Sequence, residues 1–330
     1  MLQILSVTIP FFALVLGGYV VARRRWMPLE AIPGLNTFVL FFALPCMLYR
    51  FGANSPVAML LDAGVVAVYL LAAAGVVALT LLFTRRGRVG WNDAAFGALV
   101  AAFPNSGFIG VPLVADLLGS RAAGPAIVSL TLDMVFTTSL CVALSRLGTA
   151  EVHGVGRAVV AALRGVFSNP LPWAIVAGAV AAATGFELPG PVKHTVGMLA
   201  DAASPVALFT LGAMLARAQI NAARREAAIA PGGRRPWGDV PEVAVFKLLL
   251  HPALVFGIGH GLRALGVPLD GFSLTVLVLV AALPGASNVT MLAERYGADS
   301  GRIARIVMLT TGVSFVTFTA IVSLLVGSAG

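Results

Sequence analysis

The sequence predicts an all-α integral membrane protein of ten transmembrane helices, and three observations carry that reading. Of 330 residues, 59% are hydrophobic and only 11% are charged, where a soluble domain carries about a quarter charged residues. Mean hydropathy is +0.95. The basic residues fall in clusters between apolar runs, and the clusters alternate in strength along the chain. A bilayer core of ~30 Å takes about 20 apolar residues per helix, so ten spans with short connections use up the chain as one membrane domain.

The spans follow from apolar runs and their punctuation. The first, 3–22, ends at Arg23-Arg24-Arg25. The second, 33–50, contains Leu44-Pro45 and ends at Arg50; the third, 63–84, runs into Arg85-Arg86. The fourth, 93–118, is interrupted by FPNSGFIGVP, and the fifth, 124–145, carries Asp133 in mid-span. The sixth, 169–185, starts beside Pro170; the seventh, 194–216, contains Ser204-Pro205. The eighth, 241–263, holds Lys247, the ninth, 272–293, is interrupted by ALPGASNVT, and the tenth is 304–327. Residues 157–167 form a candidate interfacial helix, and 217–240 read as a polar connector.

Charge gives the orientation. With the N-terminus outside, the odd-numbered connections hold 17 of the 22 basic residues, the even-numbered ones hold Arg50, Arg121, Lys193 and Arg263, and Lys247 lies within a span. That asymmetry obeys the positive-inside rule and places both termini outside a cell (inner) membrane. Basic residues follow the first span rather than precede it, so an uncleaved first helix is expected. A net charge of +8 is accounted for in this way, without a nucleic-acid partner. Cys46 and Cys141 both lie in apolar runs, which argues for inert thiols rather than a disulfide framework.

The two halves have ordered parallels. Leu44-Pro45 corresponds to Ser204-Pro205, and Pro104-Asn105-Ser106-Gly107 corresponds to Pro284-Gly285-Ala286-Ser287-Asn288. Five spans is an odd number, so the second copy starts from the opposite side. Residues 1–150 and 151–330 then form two inverted repeats. Interrupted hydrophobic segments at matching positions of such repeats point to a transporter binding site. Pro104 and Pro284 each remove a backbone donor, and Gly107, Gly110 and Gly285 favour unwinding. In hydrocarbon the freed backbone groups are tolerated only against protein or a water-filled cavity. A plain proline kink explains either motif alone; the pair favours a site. Half-helix N-termini carry partial positive charge, suited to a carboxylate, with Asn105, Ser106, Gly107, Ser287 and Asn288 as substrate-binding candidates.

Asp133 is a candidate coupling residue, because an intramembrane acid costs at least ~2.5 kcal/mol on insertion scales; the plainer alternative is a neutral Asp bonded to a neighbouring helix. Lys247, near one edge of its span, reads as a snorkelling side chain with a secondary claim to the site, as do Asn36 and Pro45. His251 and His260 read as helix-packing residues, and the small-residue runs GAVAAATG and GIGHG as close helix contacts. Gly285-Ala286-Ser287-Asn288 resembles the serine turn of intramembrane rhomboid proteases, but both candidate histidines precede the serine, against that family's order. With no phosphate-binding loop, H-E-x-x-H or Cys/His cluster, neither cofactor nor metal is expected.

The segments LNTFVLFFALPCMLYRF (35–51), AAFPNSGFIGVPLV (101–114), KLLLHPALV (247–255) and ALPGASNVTMLAERYG (282–297) resemble the auxin efflux carrier family, in particular its bacterial malonate or dicarboxylate transporter-like members. The resemblance covers essentially the whole chain. It implies two inverted five-helix repeats, helices four and nine broken at a proline crossover that holds substrate, and elevator-type alternating access. Helices 1, 2, 6 and 7 would be the scaffold and 3–5 and 8–10 the moving unit. The long central loop of the plant carriers is absent from 146–168, so auxin itself is not implied. The expectation is a secondary transporter of a small mono- or dicarboxylate, with protons as a candidate coupling ion and a homodimer as a candidate assembly. The alternatives are a sodium-coupled symporter of the bile-acid type and an intramembrane enzyme using Ser287.

Overall fold

The apolar runs fold as helices throughout. The computed structural model describes residues 2–54, 62–87, 89–146, 170–227 and 238–325; the candidate interfacial helix at 157–167 lies outside the described residues. In chain order the helices are α1 (Leu2–Arg23), α2 (Leu29–Asn54), α3 (Ala63–Arg86), α4a (Trp91–Ala102), α4b (Ser106–Leu118), α5 (Ser120–Ser145), α6 (Pro170–Thr184), α7 (Gly190–Ala227), α8 (Val240–Ala264), α9a (Gly271–Ala281), α9b (Asn288–Arg295) and α10 (Ser300–Leu325). Among the described residues, seven helices (α1, α2, α3, α5, α7, α8 and α10) are long and apolar enough to cross a membrane. The short apolar helices include α4b and α9a, the halves of interrupted runs.

Local chemistry sets several of these ends. Asp62 caps α3 by accepting from Gly64 N (2.8 Å) and Val65 N (3.1 Å). Asp270 caps α9a by accepting from Ser273 N (2.9 Å) and Ser273 Oγ (2.6 Å). Such caps satisfy amides that have no intrahelical acceptor. Partial burial alone would raise the Asp270 carboxyl, but these bonds and Arg121 hold it below the usual carboxylate range. Helix α7 runs well beyond the 194–216 expected from its apolar stretch, because its polar residues after Ala216 continue the same helix.

α1 packs along α7 and α2 along α6. Small residues permit both contacts. A Cβ at Gly212 would fall 1.8 Å from Val15 O, and one at Gly178 2.4 Å from Tyr49 O. Backbones that approach this closely tolerate no side chain, which is the usual packing device of helices in lipid. Gly178 belongs to the run GAVAAATG, as expected. In GIGHG only Gly259 meets a neighbour, Leu274, while Gly257 and Gly261 face open space. α3, α4a and α5 form one packed group, and α8 and α9a lean on α3. The interior is apolar around α4 and α9a, where Phe96, Leu99, Leu113, Leu277 and Leu279 are fully buried. Leu16, Phe41, Phe42, Leu82 and Leu324 are exposed instead, a distribution costly in water and natural in lipid.

Polar contacts gather at the two helix-end faces. On one face Asn92 Nδ2 donates to Tyr296 O (3.0 Å), and Asp299 N donates to Asp93 Oδ1 (2.8 Å). There Arg302 also donates to both oxygens of Asp239 (2.7 and 2.6 Å) and to Asp93 O (2.7 Å). On the other face Arg121 pairs with Asp270 at 3.9 Å.

Candidate functional site

The two interrupted helices meet at their interruptions. After Ala102 the chain leaves helical geometry at Phe103, which is extended. Pro104 lies against Gly285 as an isolated antiparallel bridge. Asn105 N donates to Pro284 O (2.8 Å), and Ala286 N donates to Phe103 O (3.0 Å). The backbone groups that each break frees are thus satisfied by the other break, as a low-dielectric surrounding requires. Thr310 of α10 backs the junction: Gly285 N donates to its Oγ1 (3.2 Å), which donates in turn to Val307 O (3.0 Å). Glycine is needed at Gly285 for space, since a Cβ there would sit 2.7 Å from Val100 Cγ2 and 3.0 Å from Val100 O. At Gly110 a Cβ would meet Leu283 Cδ1 at 2.8 Å.

α4b restarts through a widened turn, Ser106–Gly110, in which Ile109 N and Gly110 N both donate to Asn105 O (3.1 and 3.0 Å). Asn105 (2% exposed), Ser106 and Ser287 are buried. Ser106 Oγ approaches Pro104 O at 3.4 Å. Three polar atoms at the junction, Asn105 Nδ2, Ser287 Oγ and Asn288 Oδ1, are buried with no hydrogen-bond partner. An orphaned buried polar atom costs about 1–3 kcal/mol, so three at one place call for an explanation. The first amides of α4b and α9b are partly engaged: Ser106 N donates to Pro104 O (2.7 Å), Val289 N to Ala286 O (3.3 Å) and Thr290 N to Ser287 O (3.2 Å).

Ser287 is also on the wall of a cavity of about 360 Å³. Thr290, Met291 and Glu294 of α9b, Leu215, Arg217 and Asn221 of α7, and Ser300 and Ala304 of α10 line it. The junction is therefore reached from one face through a partly polar vestibule carrying a cation, Arg217. Sequence reading counted Arg217 only as a connection charge, because the apolar run ends just before it.

A second buried polar group lies behind the junction. Asp133 is fully buried. It accepts from Tyr69 Oη of α3 (2.5 Å) and from Thr137 Oγ1 (2.9 Å). Lys247 is fully buried as well, which corrects the snorkelling expectation: its ammonium turns inward. Nζ donates to Ala281 O (2.7 Å), the last residue of α9a, and lies 3.1 Å from His251 Nδ1. Both Asp133 and Lys247 stand in widened i to i+5 turns, Asp133–Thr137 and Phe246–Leu250, a distortion common at functional sites. Tyr69 and Thr310 were missed in sequence; their only signal was a polar atom inside an apolar run.

Of the sequence candidates, the structure brings Pro104, Asn105, Ser106, Gly107, Gly110, Pro284, Gly285, Ser287 and Asn288 to one junction, with Lys247 attached through Ala281. No hydrogen bond among the described residues joins Asn36 or Pro45 to it; both lie on α2, Asn36 buried and Pro45 half-buried. His251 is buried beside Lys247, while His260 is exposed, its Nδ1 at 2.9 Å from Phe256 O. Among the described residues Ser287 Oγ has no hydrogen-bond partner, and neither His251 nor His260 bonds to it.

These features define a multi-pass helical membrane protein with a polar site at a double helix break. Residues 3–322 match the model of the family described as membrane transport protein, and the chain belongs to that family, the auxin efflux carriers among them. It is 31% identical over 330 residues to a protein of Rhizobium meliloti (strain 1021) named "Putative malonate transporter", covering 98% of this chain and 97% of that one. It is 26% identical to an "Uncharacterized transporter" of Methanothermobacter thermautotrophicus, over 92% of each chain. It is 23% identical to "Auxin efflux carrier component 8" of Arabidopsis thaliana, over 95% of this chain and 93% of that one. These relatives are transporters, not enzymes.

Proposed function

We propose that the chain is a secondary transporter of a small mono- or dicarboxylate, bound at the junction of the two broken helices and moved by an elevator-type alternation. The observation that carries this reading is the set of unpartnered Asn105 Nδ2, Ser287 Oγ and Asn288 Oδ1 at the two helix restarts, of which Ser287 lines a cavity that contains Arg217. Asn105 Nδ2 and Ser287 Oγ can donate to a carboxylate, as can a half-helix N-terminus, while Asn288 Oδ1 can only accept. The cavity has room for a short-chain diacid, and the relative named for malonate makes malonate the first compound to try.

The ten-span, inverted-repeat reading has its own support. α4a with α4b, and α9a with α9b, each rise about 30–40 Å at 1.5 Å per residue, enough for one crossing per broken helix. The charge alternation places the connections before α4, before α8 and after α9 on the cytoplasmic side. The Asn92–Tyr296, Asp93–Asp299 and Arg302–Asp239 contacts join those same connections. Arg121–Asp270 joins two outer ones. The α1–α7 and α2–α6 pairs are each other's equivalents under an exchange of five-helix halves. Under this orientation the cavity opens to the cytoplasm, and both termini lie outside an inner membrane.

Asp133 is the coupling residue in this reading, as the buried acid nearest the junction that a proton can neutralise. The test is uptake by purified protein in liposomes from a panel of labelled mono- and dicarboxylates, with and without an imposed pH gradient. Saturable uptake of at least one short carboxylate, competed by its neighbours in length, is expected. Absence of uptake for the whole panel, in vesicles whose protein is folded, would sink the assignment.

A further inference from the structure

We propose that Lys247 is a tethered coupling cation: its ammonium fills the place, between the C-terminal end of α9a and His251, that a dissociable metal cation would otherwise occupy. The inference rests on the transporter reading above and concerns its ion dependence.

Ala281 closes α9a, and its carbonyl has no helical donor because the helix stops there and Gly285 N is given to Thr310. A half-helix C-terminus with free carbonyls carries partial negative charge, and transporters with broken helices use such ends to hold a monovalent cation. Here the cation is covalent. Lys247 Nζ makes its 2.7 Å bond to that carbonyl and its 3.1 Å contact to His251 Nδ1.

The surroundings are closed. From α3 comes Tyr69, bonded to Asp133 (2.5 Å) with its ring 6.0 Å from that of His251. α4a and α10, the other helices packed on the Lys247 turn, carry Asp93, Arg302 and Arg305 within their first two turns. All of Tyr69, Asp133, Cys141, Lys247 and His251 are fully buried. An uncompensated ammonium at this depth would be costly; the Ala281 carbonyl and the His251 imidazole replace part of its water. With that place taken by an ammonium that belongs to the chain itself, a dissociable sodium ion is not required there.

The test removes the tether and offers a free cation. Wild type, Lys247→Ala and Lys247→Met are reconstituted, and malonate counterflow is measured with equal salt on both sides, so that no ion gradient intervenes. Replacing sodium by choline should leave wild-type counterflow within about twofold. Lys247→Ala should lose about tenfold or more, and methylammonium or sodium at tens of millimolar should restore most of it. Lys247→Met, which fills the space without charge, should stay inactive and unrestored. Independently of any substrate, methylammonium should raise the unfolding temperature of purified Lys247→Ala by mass action, and not that of wild type or Lys247→Met. A wild type that needs sodium, a Lys247→Met that works normally, or a Lys247→Ala neither restored nor stabilised by either cation overturns the tether. If Lys247→Ala does not fold, the wild-type sodium test and Lys247→Met decide. Failure of wild-type malonate counterflow with the stabilisation intact would count against the substrate instead.

Discussion

At the scale of single residues, the junction holds polar atoms that folding does not use. Asn105 Nδ2, Ser287 Oγ and Asn288 Oδ1 are buried without partners, so truncating them removes a desolvation penalty and no bond. Asn105→Ala, Ser287→Ala and Asn288→Ala should therefore unfold at the wild-type temperature or slightly above it. Carboxylate binding, read from ligand-induced thermal stabilisation, should weaken about tenfold, the equivalent of one interaction of ~1–2 kcal/mol. Loss of stability together with retained binding would mark them as packing residues. Asp133 behaves oppositely, because Tyr69 and Thr137 both donate to it. Asp133→Asn keeps an acceptor oxygen but cannot carry the proton. It should abolish proton-driven accumulation and leave substrate exchange largely intact; unchanged uphill uptake would demote Asp133 to a structural role. The sequence made Asp133 legible because an acid in an apolar run stands out. It left Lys247 misread, because a lysine one or two turns inside a span can reach water or turn inward. Only the position of the Ala281 carbonyl and His251 decides between them.

At the scale of elements, the breaks in α4 and α9 were legible because proline, glycine and asparagine in mid-span have few other uses in lipid. Their mutual pairing was not, since it depends on Phe103 and Pro284 carbonyls meeting amides from the far half of the chain. The widened turn at Asp133 left no mark in sequence, as neither proline nor glycine adjoins it, whereas the one at Lys247 precedes Pro252, whose missing amide frees Leu248 O. Pro104→Ala and Pro284→Ala restore the missing amide and remove the ring clash, allowing the helical ladder to close. Each variant should insert and fold as well as wild type. Closing the ladder would draw Asn105 N from Pro284 O, or Gly285 N from Thr310, and would erase a half-helix start at the junction. Binding should fall about tenfold or more, since a helix end contributes ~1–2 kcal/mol to an anion in a partly buried geometry. If both variants bind and transport normally, the paired motifs are only kinks and the substrate sits elsewhere.

At the scale of the whole molecule, orientation and movement are separable questions. Cysteines at Arg24 and Arg86 should react with impermeant reagents only from the cytoplasm, and cysteines at Glu187 and Leu265 only from outside, all four sites being exposed. Any reversal breaks the ten-span topology, because the positive-inside assignment alternates at every crossing. Movement needs a different measurement. The cavity is walled by α7 on one side and α9b with α10 on the other, and an elevator requires these walls to slide past each other. α2 and α7 would instead stay together, held near their surface by Arg50 and Asp201, whose Nη1 and Oδ1 are 2.6 Å apart. In a cysteine-free background, a cross-link between cysteines at Ala218 and Met291, both on the cavity wall, should stop uptake and release it on reduction. A cross-link replacing Arg50 and Asp201 should form as readily and leave uptake within about twofold, since a surface ion pair contributes little to stability and the proposed scaffold contains both helices. Rigid-body closure predicts that contrast because only the first link spans the sliding boundary. If uptake survives the Ala218–Met291 link, the substrate crosses by local gating around a fixed junction, and the grouping of α1, α2, α6 and α7 is a packing fact without a mechanical role.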